Sequence, residues 1–197
     1  MEIGWYFERI KKSLDRTDRS EINDVLTALH DAYSRSANIF VIGNGGSAAN
    51  ASHFAQDLAK GVFPDQKTEP RFRAISLTDN VAYISALAND DGYEDIFEAQ
   101  LRTYYRAGDV LIAISGSGNS PNVLKAAKFA KSKGLVVVGI TGYDGGQLLT
   151  ISDLSIHVRL NEMCTVESIH SLILHYIVLQ LRELFGQDTV DARCFPA

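Results

Sequence analysis

The stretch Asn38-Ile39-Phe40-Val41-Ile42-Gly43-Asn44-Gly45-Gly46-Ser47 decides the fold. An apolar run of β type enters a turn of small residues, and Ala48 to Lys60 follows with a helical pattern. The same succession returns downstream. Asp109-Val110-Leu111-Ile112-Ala113-Ile114 leads into Ser115-Gly116-Ser117-Gly118-Asn119-Ser120, and Pro121 to Lys133 is again helical in pattern. A small-residue turn between strand and helix exposes backbone N–H groups and a helix N-terminus, both suited to an anion. The serines add hydroxyl donors. Two such loops in one α/β unit point to a phosphorylated small molecule gripped at the carboxyl ends of neighbouring strands.

Outward from these loops, strands and helices alternate. Strands are expected over 38–42, 72–77, 109–114, 135–140 and 154–159, and helices over 47–60, 79–88, 94–104, 120–132 and 165–185. Leu135 to Ile140 is apolar on both faces, as a central parallel strand covered by helices should be. The alternation predicts a three-layer α-β-α sandwich around a mainly parallel five-stranded sheet. Residues 1–37 carry apolar positions three or four apart, broken at Arg16-Thr17-Asp18-Arg19-Ser20, so an extra N-terminal helical arm is expected to pack against another subunit. The polar segment 61–71, with Pro64 and Pro70, reads as a surface loop, and Gly142 to Gly146 as a turn. Nothing divides the 197 residues, so the whole chain is expected to form a single domain.

Composition narrows the function. A net charge of −5 argues against bulk nucleic-acid or membrane-surface binding. Cys164 and Cys194 are far apart and form neither a CxxC pair nor a zinc-ribbon spacing, so free thiols in a reducing compartment are expected. The first twelve residues lack a signal-peptide core, and no run approaches the ~18 apolar residues of a membrane span. A cytoplasmic protein follows.

Several constellations can carry chemistry, each with a plainer reading beside it. Gly43-x-Gly45-x-x-Ala48 matches a dinucleotide fingerprint, but Asp79 comes too late to be its acidic partner, and a Walker A lysine is absent. A sugar-phosphate loop or a structural turn remains. His53 and Asp57, four apart, lie about 40° apart around a helix, where they can share an ion or simply pair on a solvated face. Glu167 and His175 lie off the centre of the last helix's core stripe, and their separation is a rise of ~12 Å. Glu167 with His170, three apart, is the locally easier metal pair, while His170 alone suits helix packing or a subunit contact. Asn89-Asp90-Asp91-Gly92 reads as a capping turn.

Six segments in fixed order resemble the phosphoheptose isomerases of the sugar isomerase (SIS) domain family. They are Gly-Asn-Gly-Gly-Ser-Ala-Ala (43–49), His-Phe-Ala-x-x-Leu (53–58), Ala-Asn-Asp-x-Gly-Tyr (88–93), Gly-Asp-Val-Leu-Ile-x-Ile-Ser (108–115), Ser-Gly-Asn-Ser-Pro-Asn-Val (117–123) and Thr-Gly-x-x-Gly-Gly (141–146). The resemblance spans nearly the whole chain. It implies an aldose–ketose isomerase converting sedoheptulose 7-phosphate to D-glycero-D-manno-heptose 7-phosphate through an enediol. It also implies that Asn44, Gly45, Gly46 and Ser47, with Asn89 and Asp90, hold the sugar, and that Ser115, Gly116, Ser117 and Ser120 cradle the phosphate. His53, Asp57, Glu167 and His175 fall at the family's metal ligands, with zinc the expected ion. Asp57 and Glu167 also touch substrate, and Asp57 (base) and His175 (acid) form the catalytic pair. A homotetramer with sites between subunits is implied too.

The sequence departs from the family at four positions. Asp57 stands where Glu is usual, Glu167 for Gln, Gly116 for Thr and Cys164 for Asp. Asp57 withdraws its carboxylate by one methylene, ~1.3 Å, a displacement that matters for a base. Glu167 adds a negative charge near an ion. Two rival readings are a non-catalytic regulator resembling the DnaA initiator-associating protein and an isomerase of another phosphosugar. Retention of His53, His175 and an acid at 57 favours catalysis.

Overall fold

The computed structural model describes residues 2–186, and Cys194 lies outside them. Strands β1 (Asn38–Gly43), β2 (Arg73–Ser76), β3 (Val110–Ser115), β4 (Val136–Thr141) and β5 (Leu154–His157) form one sheet in the order β2-β1-β3-β4-β5. Every pairing is parallel. From β1 the chain steps outward to β2, then returns to the other side of β1 for β3. The direction of winding therefore reverses between β1 and β3, and Gly43 pairs with Ile114 where both strands end. Ligands of open parallel sheets bind at such a reversal, outside the carboxyl ends of the strands.

Side chains alternate across the sheet and divide the core in two. On one face Ile39, Val41, Ile112, Ile114, Val138 and Ile140 pack against α2 (Arg19–Ser34), α3 (Gly46–Gln56) and α8 (Met163–Leu184). On the other, Phe40, Ile42, Leu111, Ala113 and Val137 meet α5 (Glu98–Tyr104), α6 (Pro121–Ser132) and α7 (Gly146–Ile151). This is the expected three-layer α-β-α sandwich with a five-stranded sheet. The remaining helices are α1 (Ile3–Arg16), which buries no residue, and α4 (Val81–Asp90). Asp18, in the expected break, caps α2 by accepting from the Ser20 N–H at 2.9 Å.

The elements depart from sequence expectation in four places. The helix expected over 47–60 is α-helical only to Gln56, then widens into a π turn over Asp57–Gly61 closed by Val62 N–H on the Asp57 carbonyl. The helix expected over 94–104 begins only at Glu98. Helix α4 runs on through Asn89 and Asp90, so the turn itself is Asp91-Gly92, with Gly92 at φ 117°. The turn at 142–146 opens directly into α7, a helix of six residues. There Gly118 and Gly145 pass so closely that a Cβ on Gly118, itself at φ 65°, would collide with the Gly145 carbonyl.

Helix α8 spans 22 residues and is long and apolar enough by composition to cross a membrane. Half of its apolar window is instead buried against the sheet. Glu167, His170 and His175 interrupt it, so it is not a continuous run of apolar residues.

Candidate active site

Both small-residue loops meet at the β1/β3 reversal. Asn44, Gly45, Gly46, Ser47, Ser115, Gly116, Ser117 and Ser120 line one pocket of about 210 Å³, with Met163 and Glu167. Gly45 takes φ 55°, ψ −123°, a backbone that side-chain-bearing residues rarely adopt, and so turns the chain into the first turn of α3. The N-termini of α3 and α6 both open here, and their first N–H groups lack intrahelical acceptors. The Ser115 hydroxyl lies 3.3 Å from that of Ser120, and Ser117 Oγ accepts from the Asn119 N–H at 3.2 Å. No lysine or arginine is among the lining residues. An anion placed here would meet helix termini and hydroxyls rather than a counter-charge.

The first two turns of α8 face these loops with Met163 and Glu167, four residues apart. A Cβ on Gly116 would collide with the Met163 sulfur, so Met163 occupies the space that a larger residue at 116 would need. A Cβ on Gly46 would collide with the Glu167 carboxylate. Glu162 caps α8, accepting from Cys164 N–H at 2.8 Å and Thr165 N–H at 2.9 Å. The Thr165 hydroxyl and these N–H donors hold its carboxyl down at about 2. Cys164 is exposed and free.

Further along α3 and α8 lies a titratable group. Asp57 Oδ2 is 3.4 Å from His53 Nε2 and 3.7 Å from His175 Nε2. The two imidazoles meet edge to face at 4.8 Å, and one ligand atom from each of the three residues lies within 4.8 Å of the others. Asp57 is the least exposed of the three, held where the α-helix gives way to the π turn. Single π turns inside helices are frequent at functional sites. Asn50 ties the two helices together by donating to the Glu167 carbonyl at 3.0 Å. Despite its shorter side chain, Asp57 faces both histidines.

Not every expected site residue joins this group. Glu167 lies against Gly46 in the loop pocket, apart from His53, Asp57 and His175. The separation follows from the rise of ~12 Å between Glu167 and His175. The pairing of Glu167 with His170 is corrected outright. His170 is fully buried, with Nε2 3.1 Å from the Thr141 carbonyl. Asn89 and Asp90 are exposed and bond each other at 2.7 Å, outside the pocket. Two larger hollows, of about 630 and 580 Å³, lie along the β2 edge and between α2 and α8, and neither is lined by a histidine.

The His170 environment makes a stability prediction. Burial lowers its pKa from 6.5 to about 4, against the opposing effect of the Thr141 carbonyl. Nε2 donates to that carbonyl, leaving Nδ1 without a partner among the described residues. Protonation would place a charge there with no acceptor. The folded state thus binds fewer protons than the unfolded one between these two values. Stability is intact above pH 6.5 and falls as pH drops toward 4, with a limiting slope of about 1.4 kcal/mol per pH unit. Urea unfolding across this range checks the slope, and His170→Gln should flatten it.

The site and fold define a class: a doubly wound α/β protein with a Gly/Ser loop pocket at its β1/β3 reversal and a His–Asp–His group further along α3 and α8. The SIS domain family matches residues 5–142, and the chain belongs to that family. It is 36% identical over 187 residues to the phosphoheptose isomerase of Fusobacterium nucleatum, covering 94% of each chain. It is also 36% identical over 196 residues to that of Shewanella oneidensis, covering 92% of this chain and 98% of the relative. Its fold matches phosphoheptose isomerase GmhA from Neisseria gonorrhoeae with a TM-score of 0.83 at 29% identity, over 92% of this chain and 97% of the other.

Proposed function

We propose that this chain is a phosphoheptose isomerase, interconverting sedoheptulose 7-phosphate and D-glycero-D-manno-heptose 7-phosphate through an enediol in heptose biosynthesis. The observation that carries this reading is the convergence of two strand–loop–helix turns on one pocket, with His53, Asp57 and His175 further along α3 and α8, the helices that line it. Spacing supports it. The rise from Ser47 to His53 is ~9 Å, comparable to the length, on the order of 10 Å, of an extended seven-carbon sugar phosphate.

The loops bind the phosphate through helix N-termini and the hydroxyls of Ser115, Ser117 and Ser120, and Asn44 meets the sugar chain. Asp57 takes a proton from C1 while His175 supplies one to the C2 oxygen, giving the enediol. Asp57 then returns a proton at C2 as the C1 oxygen loses its own to His175, leaving the aldehyde.

The donor set also suits a divalent metal, and zinc in particular. Ligands about 2.0 Å from a tetrahedral ion lie ~3.3 Å apart, against 3.4 and 3.7 Å between Asp57 and the two imidazoles, and all three ligand atoms lie within 4.8 Å of one another. His53, Asp57 and His175 would hold it, and it would polarise the carbonyl and adjacent hydroxyl. The Nε2 lone pair that would bind an ion is the one that would carry the proton, so these are alternative uses of His175. Metal dependence of the pH profile separates them.

Oligomer packing belongs to the same proposal. Helix α1 leaves Ile3, Trp5 and Phe7 exposed at 67, 53 and 61%, which suits burial against further copies of the chain. A cytoplasmic homotetramer is the assembly proposed, with Asn89 and Asp90 reaching a neighbouring site.

Ser117→Ala tests the cradle. Loss of one hydroxyl contact should raise KM by about 2- to 12-fold with kcat little changed. Steady-state kinetics on sedoheptulose 7-phosphate measures it, and an unchanged KM places the phosphate elsewhere.

A further inference from the structure

Asn44 is held by side chains that belong to neither the cradle nor the titratable group. Its Nδ2 donates to Asn122 Oδ1 at 2.8 Å, and Asn122 Nδ2 donates back to Asn44 Oδ1 at 3.0 Å. The two amides therefore close a ring across 78 residues of sequence. A third group completes it, with the Tyr93 hydroxyl 3.0 Å from Asn44 Oδ1. Asn122 is 2% exposed, in the first turn of α6, so little solvent competes for these bonds.

The orientation of every amide in this chain of contacts is determined. A backbone N–H can only donate, and that of Val123 lies 2.9 Å from Asn122 Oδ1. The other end of the Asn122 amide is then the NH2 group, and the atom it meets on Asn44 is the oxygen. Tyr93 must donate to that same oxygen. Both lone pairs of Asn44 Oδ1 are thereby used, and one of its two N–H bonds is spent on Asn122. What remains on Asn44 is a single N–H, available to an acceptor.

We propose that Asn122, assisted by Tyr93, is a positioning residue that fixes Asn44 as a donor toward an oxygen of the bound phosphosugar. This rests on the isomerase reading above, in which Asn44 meets the sugar. The ligand atom selected is a carbonyl or hydroxyl oxygen able to accept, and a ligand offering only a donor at that point would be rejected. Asn122 acts through Asn44 and touches no reacting atom.

The test is Asn122→Asp, a change of nearly equal volume. An ionised carboxylate offers two acceptors to Asn44. Whichever way the Asn44 amide turns, its oxygen faces another oxygen, so the ring cannot close. A protonated carboxyl restores the missing donor and closes it. Burial raises the pKa of such a carboxyl while the α6 N-terminus and the Val123 N–H lower it, so this carboxyl is titrated directly by NMR and the kinetics are read on both sides of its pKa.

The expected result is kcat/KM reduced tenfold or more above the pKa of that carboxyl, with the ratio to the unsubstituted protein recovering as pH falls through it. Tyr93→Phe is the second variant. Tyr93 is 57% exposed, so its loss should leave folding intact and lower kcat/KM by about 2- to 12-fold, the worth of one hydrogen bond. Loss of activity in Asn122→Asp that is flat with pH marks a purely structural role and overturns the proposal. So does undiminished activity in either variant. If Asn122→Asp does not fold, Tyr93→Phe decides alone. An unsubstituted protein inactive on sedoheptulose 7-phosphate overturns the isomerase reading instead, a different outcome from an active protein indifferent to Asn122.

Discussion

Replacing His175 with alanine should lower kcat by about 10²- to 10⁴-fold, the worth of a positioned acid–base group. The side chain is 47% exposed and packs into no core cluster, so stability should stay within about half a kcal/mol. It faces Asp57 Oδ2 at 3.7 Å and the His53 ring edge to face, contacts with no counterpart in holding the sheet together. Thermal unfolding and kcat measured on the same preparation check both halves. Turnover within a few-fold of the unsubstituted protein would remove His175 from the mechanism.

Asp57→Asn should cost as much, about 10²- to 10⁴-fold in kcat, for a distinct reason. The substitution keeps the shape of the side chain but removes the charge between two imidazoles. An amide is a poor base and a weak ligand for zinc. Bound divalent metal, measured by elemental analysis after dialysis, should therefore fall together with kcat. Retained metal with lost turnover would assign Asp57 to proton transfer alone. Retained turnover would contradict its role as base.

Local pattern made the sheet legible. The run Val110 to Ser115 is buried throughout, and its apolar composition marks a strand covered on both faces. The two loops were legible as well, because a cluster of Gly and Ser between a strand and a helix is itself the structural signal. His53 and Asp57 were readable as neighbours from their spacing of four. That His175 completes the group follows only from the packing of α3 on α8, which no local period encodes.

Other features carry no local mark. The π turn at Asp57–Gly61 differs from the helix before it by one hydrogen-bond step, and Asp-Leu-Ala-Lys-Gly has no composition that signals it. Helix α7 is shorter than two turns, too brief for a 3.6-residue period to emerge. Met163 filling the space beside Gly116 depends on where α8 begins, one turn before Glu167. The Asn44–Asn122 ring joins residues that only the β1/β3 reversal brings together. A polar residue just inside a helix N-terminus would otherwise read as a cap.

The central claim is tested most directly by incubating metal-quantified protein with sedoheptulose 7-phosphate and following the sugar by NMR. The account predicts the appearance of an aldoheptose 7-phosphate; a rate that falls on chelation and returns with zinc places His175 on the ion, and a rate indifferent to chelation leaves it free as the acid. Metal-replete, folded protein that leaves sedoheptulose 7-phosphate unchanged would contradict it.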